Sequence, residues 1–154
     1  MKNTILIFCL LASLTATAQR YDYKAAFKKA IPGSILSFTG GTAGGLREGL
    51  LFRKNEFFRA FPNANRNYWD RDVSWTNPKF MGAAQDGYHH AQYLHLAATY
   101  TGGAFAGINI AAPYHKGVKR KFGHKVLDVL IHAGAGFVAY NLGAVLVYDV
   151  ILHR

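Results

Sequence analysis

The sequence predicts an all-α protein: a small helical bundle with an apolar helical hairpin, a glycine-ridged first helix and an aromatic-rich loop. Three observations lead to this prediction. Residues 91–114 and 129–148 contain no Asp, Glu, Lys or Arg, glycines recur every four residues between 40 and 49, and strict alternation of apolar and polar residues is missing. Long uncharged runs are typical of buried or membrane-spanning helices, and the missing alternation argues against strands.

Residues 1–18 are predicted to be a secretory signal peptide. Lys2 supplies positive charge, "ILIFCLLASL" is an apolar centre, and "ATA" provides the small residues that precede a cleavage site. Cleavage leaves one helical domain, 19–154, and removes Cys9, the single cysteine, so the mature protein would have no thiol. Cys9 lies inside the apolar run rather than after it, which argues against lipidation. An uncleaved signal anchor is the alternative.

The formal net charge of the chain is +10. A strongly basic protein binds nucleic acid or anionic membranes, but an exported protein rarely meets nucleic acid, and no familiar nucleic-acid motif is present. We therefore expect membrane lipids, and other envelope proteins, as partners and no nucleic acid. The expected location is the bacterial cell envelope, at the inner membrane or a periplasm-facing membrane surface.

The first helical region contains the glycine ridges. Residues 20–31 predict a short amphipathic helix that ends at Pro32-Gly33, and Ser34 is placed to cap the next helix, 34–61. In that helix two rows have four-residue spacing: Gly40, Gly44 and Glu48, and Gly41, Gly45 and Gly49. Such rows let another helix approach closely, most often in membranes. A phosphate-binding loop is the competing interpretation, but the Lys-Ser/Thr ending of a P-loop is missing.

In residues 62–85 the apolar residues follow no regular spacing. This segment predicts a polar loop with aromatic anchors, among them Trp69 and Trp75. One interpretation is a loop held over the core by its tryptophans. The other is a binding surface or an interfacial belt, where tryptophan and tyrosine prefer to lie.

Two apolar helices, at about 88–113 and 126–152, are predicted to pair as a hairpin, with candidate membrane spans at 91–113 and 129–148. A cleaved signal peptide leaves the mature N-terminus outside, so the first span would run inward. The basic segment 115–125 would then face the cytoplasm, as the positive-inside rule expects. The alternatives are a compact periplasmic helical domain whose buried helices are apolar, and a small β-barrel.

An Asp followed four residues later by a His occurs three times: Asp86–His90, Asp128–His132 and Asp149–His153. This spacing puts a carboxylate one helical turn from an imidazole, whose tautomer it can fix. Two such pairs together with Glu48 would give a set able to ligate a divalent metal or to act as general acid and base.

The candidate catalytic residues are therefore Glu48, Asp86, His90 and His132, and the candidate binding residues are Trp69, Trp75, His89 and Tyr93. Each has a structural alternative. Asp86 can be an N-cap, Asp128 a favourable charge near a helix start, and Glu48 half of a buried pair. Neither HExxH nor GxSxG occurs in the chain.

Four blocks of sequence resemble an uncharacterised family of small exported or membrane-associated bacterial proteins. They are "GGTAGGLREGLLF" (40–52), "FPNANRNYWDRDVSWTNP" (61–78), "DGYHHAQYL" (86–94) and "AGAGFVAYNL" (133–142). The Asp-x-x-x-His helix is also loosely similar to YfiM-like periplasmic proteins. Arg71 stands where the family pattern has proline. The resemblance implies an envelope location and a helical fold but no reaction, and it draws attention to Glu48, Trp75, Asp86, His89 and His90.

Three functions are open at this point. The first is a structural or interaction protein of the envelope, without chemistry. The second is a metal-dependent or acid/base hydrolase acting on lipid or cell-wall material. The third is a small module that binds an apolar ligand between glycine-faced helices. We expect no cofactor, with a divalent metal ion as the alternative.

Overall fold

The computed structural model describes residues 21–74, 86–111 and 121–152, and their regular structure is entirely helical, which confirms the all-α prediction. The helices are α1 (Tyr23–Phe52), α2 (Lys54–Ala60), α3 (Arg66–Trp69), α4 (Arg71–Ser74), α5 (Gly87–Ala111) and α6 (Phe122–Val145), which continues as a π-helical segment (Leu146–Ile151). The predicted signal peptide, Trp75, His153 and most of the basic segment 115–125 lie outside the described residues.

Helix α1 is one continuous helix of 30 residues, about 45 Å long at 1.5 Å per residue. The predicted break at Pro32-Gly33 is therefore wrong. Proline removes a single backbone donor from a helix, and the packing of α1 along its whole length outweighs that loss. Ser34 does not cap a new helix, because its hydroxyl donates to the carbonyl of Ala30 within α1 (2.9 Å). The break comes later, at Arg53, whose φ is −129°.

The two glycine ridges of α1 contact two different helices. Cβ atoms built on the first ridge, Gly40 and Gly44, would meet mainly Thr99 and His95 of α5, although Gly44 also lies near the Tyr140 hydroxyl of α6. The second ridge consists of Gly41, Gly45 and Gly49. Cβ atoms built on these glycines would meet Tyr140 and Ala144 of α6 and Leu152, which directly follows the π-helical segment. Helix α1 thus lies between the two apolar helices, which contact each other at few positions. Helices α5 and α6 were predicted to pair directly as a hairpin; instead, each packs mainly against α1.

These contacts also fix the direction of each helix. Gly33 meets Gly102 whereas Gly44 meets His95, so α5 runs antiparallel to α1. Helix α6 runs parallel to α1, and the hydroxyl of Tyr21, at the start of the described chain, donates to the carboxylate of Asp128. The N-terminal ends of α1 and α6 therefore lie at the same end of the bundle.

This arrangement corrects the predicted topology. Because α1 packs along both apolar helices, a membrane crossed by α5 and α6 must also contain α1. Tyr21 and the described part of the basic segment, residues 121–125, would then face the same side of that membrane. The mature N-terminus and the basic segment were predicted on opposite sides, which this packing does not allow.

The other end of the bundle is capped by α2, α3 and α4. The residues predicted as a loop form two one-turn helices there, α3 and α4, so that part of the loop prediction is wrong. The buried apolar core also lies at this end, and it consists of Leu50, Phe57, Phe58, Val147 and Leu152. Trp69 packs against Phe57 with ring centroids 5.5 Å apart. The interpretation of Trp69 as an anchor over the core is confirmed.

Among the described residues, one helix is long and apolar enough to cross a membrane, Phe122–Ile151, with a mean hydropathy of 1.6 over its best window. It contains the predicted span at 129–148. Helix α5 covers most of the other predicted span but does not reach the same hydropathy, because threonine, tyrosine and glycine dilute its apolar residues.

Candidate functional site: a buried aspartate with two histidines

Asp86 immediately precedes α5 and is buried, with 1 % of its surface exposed. Its Oδ1 accepts a hydrogen bond from the backbone N–H of His89 at 2.7 Å, which is the geometry of an N-cap. The same carboxylate lies 2.7 and 2.9 Å from Nδ1 of the His89 ring. Asp86 therefore caps the helix and orients an imidazole, and its partner is His89 at i+3 rather than the predicted His90 at i+4.

The pKa of Asp86 is lowered from its ordinary value of 3.8. Burial is the largest influence and acts in the opposite direction, since it raises the pKa by penalising the charged carboxylate. The backbone and side-chain hydrogen bonds of His89, its charge, and the Ser74 hydroxyl together outweigh burial. Asp86 is thus a carboxylate held in its charged form by the first turn of α5.

His90 contacts a different group, the phenol of Tyr68. Its Nδ1 lies 2.5 Å from the hydroxyl of Tyr68, and the two rings have centroids 5.7 Å apart. The pKa of Tyr68 is raised, first by burial and then by the negative charge of Asp86. The sequence stretch around His89 and His90 therefore forms two contacts side by side, one carboxylate–imidazole and one phenol–imidazole.

Glu48 lies elsewhere. It forms an ion pair with the neighbouring Arg47, and both side chains are half-buried. The pair lines a groove of about 420 Å³ between α1, α5 and α6, together with His95, Tyr140, Tyr148 and Asp149. Neither Asp86 nor His90 lines this groove. Glu48 was predicted as half of a buried pair; the structure shows an ion pair with Arg47, but a half-buried one.

Asp128 and His132 are buried near the other end of the bundle, at 0 % and 4 % exposure. Their side chains do not pair with each other as predicted. The ring Nδ1 of His132 lies 2.9 Å from the backbone carbonyl oxygen of Asp128, and the Asp128 carboxylate accepts from Tyr21. The Nε2 of His132 is buried and has no hydrogen-bond partner among the described residues.

The predicted catalytic set does not converge. Gly136 lies beside Ser37, so His132, one turn earlier, is level with Gly33 of α1. Glu48 is fifteen residues further along α1, which corresponds to about 22 Å of helix. In the described ranges, no three His, Cys, Asp or Glu side chains come close enough to hold a metal ion.

The remaining predicted binding residues have separate positions. Tyr93 is 53 % exposed on α5, and Trp69 is half-buried against Gly87, whose missing side chain admits the indole ring. Sequence reasoning missed Tyr68 and Tyr21, which approach the histidine and aspartate sites from distant positions. It also missed the interhelical contact of His95 Nδ1 with the carbonyl of Gly40 (3.0 Å). No local spacing signals these contacts, because each joins residues of different helices.

Comparison with protein-family models, curated proteins and solved structures finds no match to this chain. The resemblance to the family of small exported bacterial proteins therefore stays a prediction.

Proposed function

We propose that this chain is a small helical protein embedded in a membrane of the bacterial cell envelope, where it has a structural or interaction role. The observation that carries the proposal is the burial pattern of α6. Asp128 and His132 are buried, whereas Phe137 and Leu142 are 71 % and 59 % exposed. Helices of water-soluble proteins bury their large apolar residues and expose their charged ones. The reverse pattern is expected when hydrocarbon surrounds the protein.

The other two long helices have the same distribution. The buried residues of α1 are almost all glycine or alanine, and those of α5 entirely so. Large apolar side chains point outward on both helices: Phe27, Ile31, Ile35 and Phe38 on α1, and Leu94, Tyr100, Phe105 and Ile108 on α5. Close packing through small residues, with large residues outside, is the usual way in which helices associate in lipid.

The charge distribution supports the same placement. Among the described residues, positive charge is in excess at the end of the bundle where α1 and α6 begin, because Lys24, Lys28, Lys29, Lys121 and Lys125 outnumber Asp22 and Asp128 there. Lysines at the end of an apolar bundle interact favourably with anionic lipid headgroups. This end would lie at the membrane surface, and α2, α3 and α4 would cap the bundle at the other surface.

Alkaline carbonate extraction of membranes tests the proposal. We expect the protein to remain in the membrane pellet, and release into the soluble fraction would overturn the proposal. Replacing Phe137 and Leu142 by serine should lower membrane retention, because both residues would contact lipid. Phe61→Ser is a matched control, since Phe61 is also exposed (42 %) but lies outside the three long helices.

A second candidate function is acid/base hydrolysis of lipid or cell-wall material at Asp86 and His89. One observation favours it: a buried carboxylate contacts the imidazole through Nδ1 and leaves the ring, 28 % exposed, open to the surface on its other side. A carboxylate in this position fixes the tautomer and orientation of a general base. Purified protein should then hydrolyse ester or glycan substrates. His89→Ala should abolish the activity and Asp86→Asn reduce it, and unchanged rates in both variants would rule the candidate out.

A further inference from the structure

A cleft of about 500 Å³ lies between α1, α5 and α6, in the half of the bundle where α1 and α6 begin. Small residues from all three helices form most of its wall, among them Ala30, Gly33, Gly103, Gly107 and Gly136. Built Cβ atoms on Gly103 and Gly107 would meet nothing within 4 Å. These two glycines therefore face open space and are not required for helix contact, unlike the glycines of the two α1 ridges. The volume is in the range of small-molecule sites in proteins, about 300–1,000 Å³.

His132 is the most deeply buried polar residue of this cleft, which Ser37, Thr99 and Tyr140 also line. It lines the cleft, and its side chain is almost fully buried. Because Nδ1 binds back to a backbone carbonyl of its own helix, Nε2 is the ring nitrogen that this contact leaves free. A carbonyl oxygen only accepts hydrogen bonds, so Nδ1 carries a proton, and a ring with that one proton has a free lone pair on Nε2. The structure describes no donor for that lone pair.

A buried acceptor without a partner is unfavourable, and native proteins rarely leave one without a reason. A bound molecule that brings a hydroxyl would satisfy it. The rest of the cleft is lined mainly by glycine, alanine and apolar side chains such as Val129 and Phe137, with Ser37, Thr99 and Tyr140 among them, so most of the molecule must be hydrocarbon. A few polar groups inside a mostly apolar wall are the usual composition of a lipophilic ligand site.

We propose that this cleft binds a lipid alcohol, a hydrocarbon molecule with one hydroxyl group that donates to Nε2 of His132. The inference rests on the proposed membrane placement, because the ligand would enter from the lipid phase. The shared chemistry allows two sources, a straight-chain alcohol or an isoprenoid alcohol, and the hydroxyl contact is the same for both.

The test uses the full chain in detergent with a diazirine-labelled hexadecanol as photoaffinity probe. We expect saturable labelling that hexadecanol or farnesol displaces, and the better competitor of the two identifies the source. Hexadecyl methyl ether, which has no hydroxyl donor, should compete at least ten-fold more weakly. Equal competition by the alcohol and its ether would overturn the proposal.

Two variants and a control separate the cleft from general lipid binding. His132→Leu should lose the preference for alcohol over ether. Gly107→Val should block labelling, because its side chain would enter the cleft without clashing with the protein. Gly134→Val is the control, since Gly134 also faces open space but does not line the cleft. If Gly107→Val labels like the unsubstituted protein, or if it instead dissociates a dimer of this chain, the proposal fails.

Carbonate extraction of the same variants keeps the two proposals distinguishable. Gly107→Val should remain in the membrane pellet while losing the label, because its outer apolar surface is unchanged. The unsubstituted protein could be released from the membrane and still show alcohol-selective labelling in detergent. That result would overturn the membrane placement but not the ligand site. If His132→Leu does not fold, the comparison of Gly107→Val with Gly134→Val still decides the matter.

Discussion

The hydroxyl of Tyr21 donates a hydrogen bond to the carboxylate of Asp128, a residue 107 positions later in the chain. Both residues are buried, at 8 % and 0 % exposure. The ring of Tyr21 also packs against that of His124 in a tilted arrangement, with ring centroids 5.6 Å apart. These contacts tie the beginning of α1 to the beginning of α6. They explain how a carboxylate is tolerated inside a helix that otherwise exposes its apolar residues, since a buried charge needs hydrogen-bond donors.

Tyr21→Phe should therefore destabilise the bundle by about 1–3 kcal/mol, the usual cost of removing one partner of a buried hydrogen bond. The ring is kept, so its packing on His124 is retained. Chemical denaturation in detergent, followed by circular dichroism, measures the effect. Tyr23→Phe is a matched control, because Tyr23 is 42 % exposed. Equal stability of the two variants would contradict the importance of the Tyr21–Asp128 contact.

Glycines at helix contacts and glycines that face open space should differ in how replacement by alanine changes the stability of the protein. A Cβ on Gly41 would overlap the carbonyl oxygen of Tyr140, so Gly41→Ala must push α1 and α6 apart. We expect a loss of about 1–3 kcal/mol, as for other overpacked sites. Gly134 faces open space, and Gly134→Ala should be neutral or stabilising by up to about 1 kcal/mol, because alanine favours helix. Thermal unfolding of both variants checks this, and equal losses would contradict the packing of α1 on α6.

The glycine ridges were predictable because their four-residue period is a local property of the helix. Gly40 and Gly44 form one row, and the structure indeed places this row in contact with a neighbouring helix. The sequence does not say that the two rows contact different helices, since that depends on which helices pack on either side of α1. The uncharged runs likewise predicted α5 and α6, because length and composition are sufficient for that.

The sequence did not predict that helix α1 continues through Pro32, nor which groups the histidines contact. Contacts along the whole of α1 keep its helix intact at Pro32. The i+4 spacing favoured Asp86–His90, but capping of the first turn draws the Asp86 carboxylate to His89. The unsatisfied Nε2 of His132 depends on three helices meeting around one cleft, which no spacing within a single helix reveals.

The depressed pKa of Asp86 makes stability dependent on pH in a defined direction. Its folded-state pKa is lower than the ordinary 3.8, so the stabilisation is fully present above pH 3.8 and is lost as the pH falls through the folded-state value. Unfolding midpoints of the protein should fall over that acidic range, and Asp86→Asn should reduce the dependence. Asp72→Asn is the control, because the pKa of Asp72 is also lowered, by Lys54, but its exposed ion pair is screened by solvent. A pH dependence that is shallower in Asp72→Asn than in Asp86→Asn would contradict this assignment.

The shared end of α1 and α6 gives a prediction about orientation. Tyr21 and His124 are in contact, so residues next to them must lie on the same side of any membrane that the bundle crosses. Single cysteines at Asp22 and Phe122, each in a Cys9→Ser background, should react with a membrane-impermeant maleimide from the same side. Both positions are exposed, and Phe122 is 83 % exposed, so neither substitution disturbs the core. A cysteine in place of Glu56, in α2 at the capped end, should be labelled from the opposite side. Labelling of the Asp22 and Phe122 positions from opposite sides would contradict the parallel packing of α1 and α6.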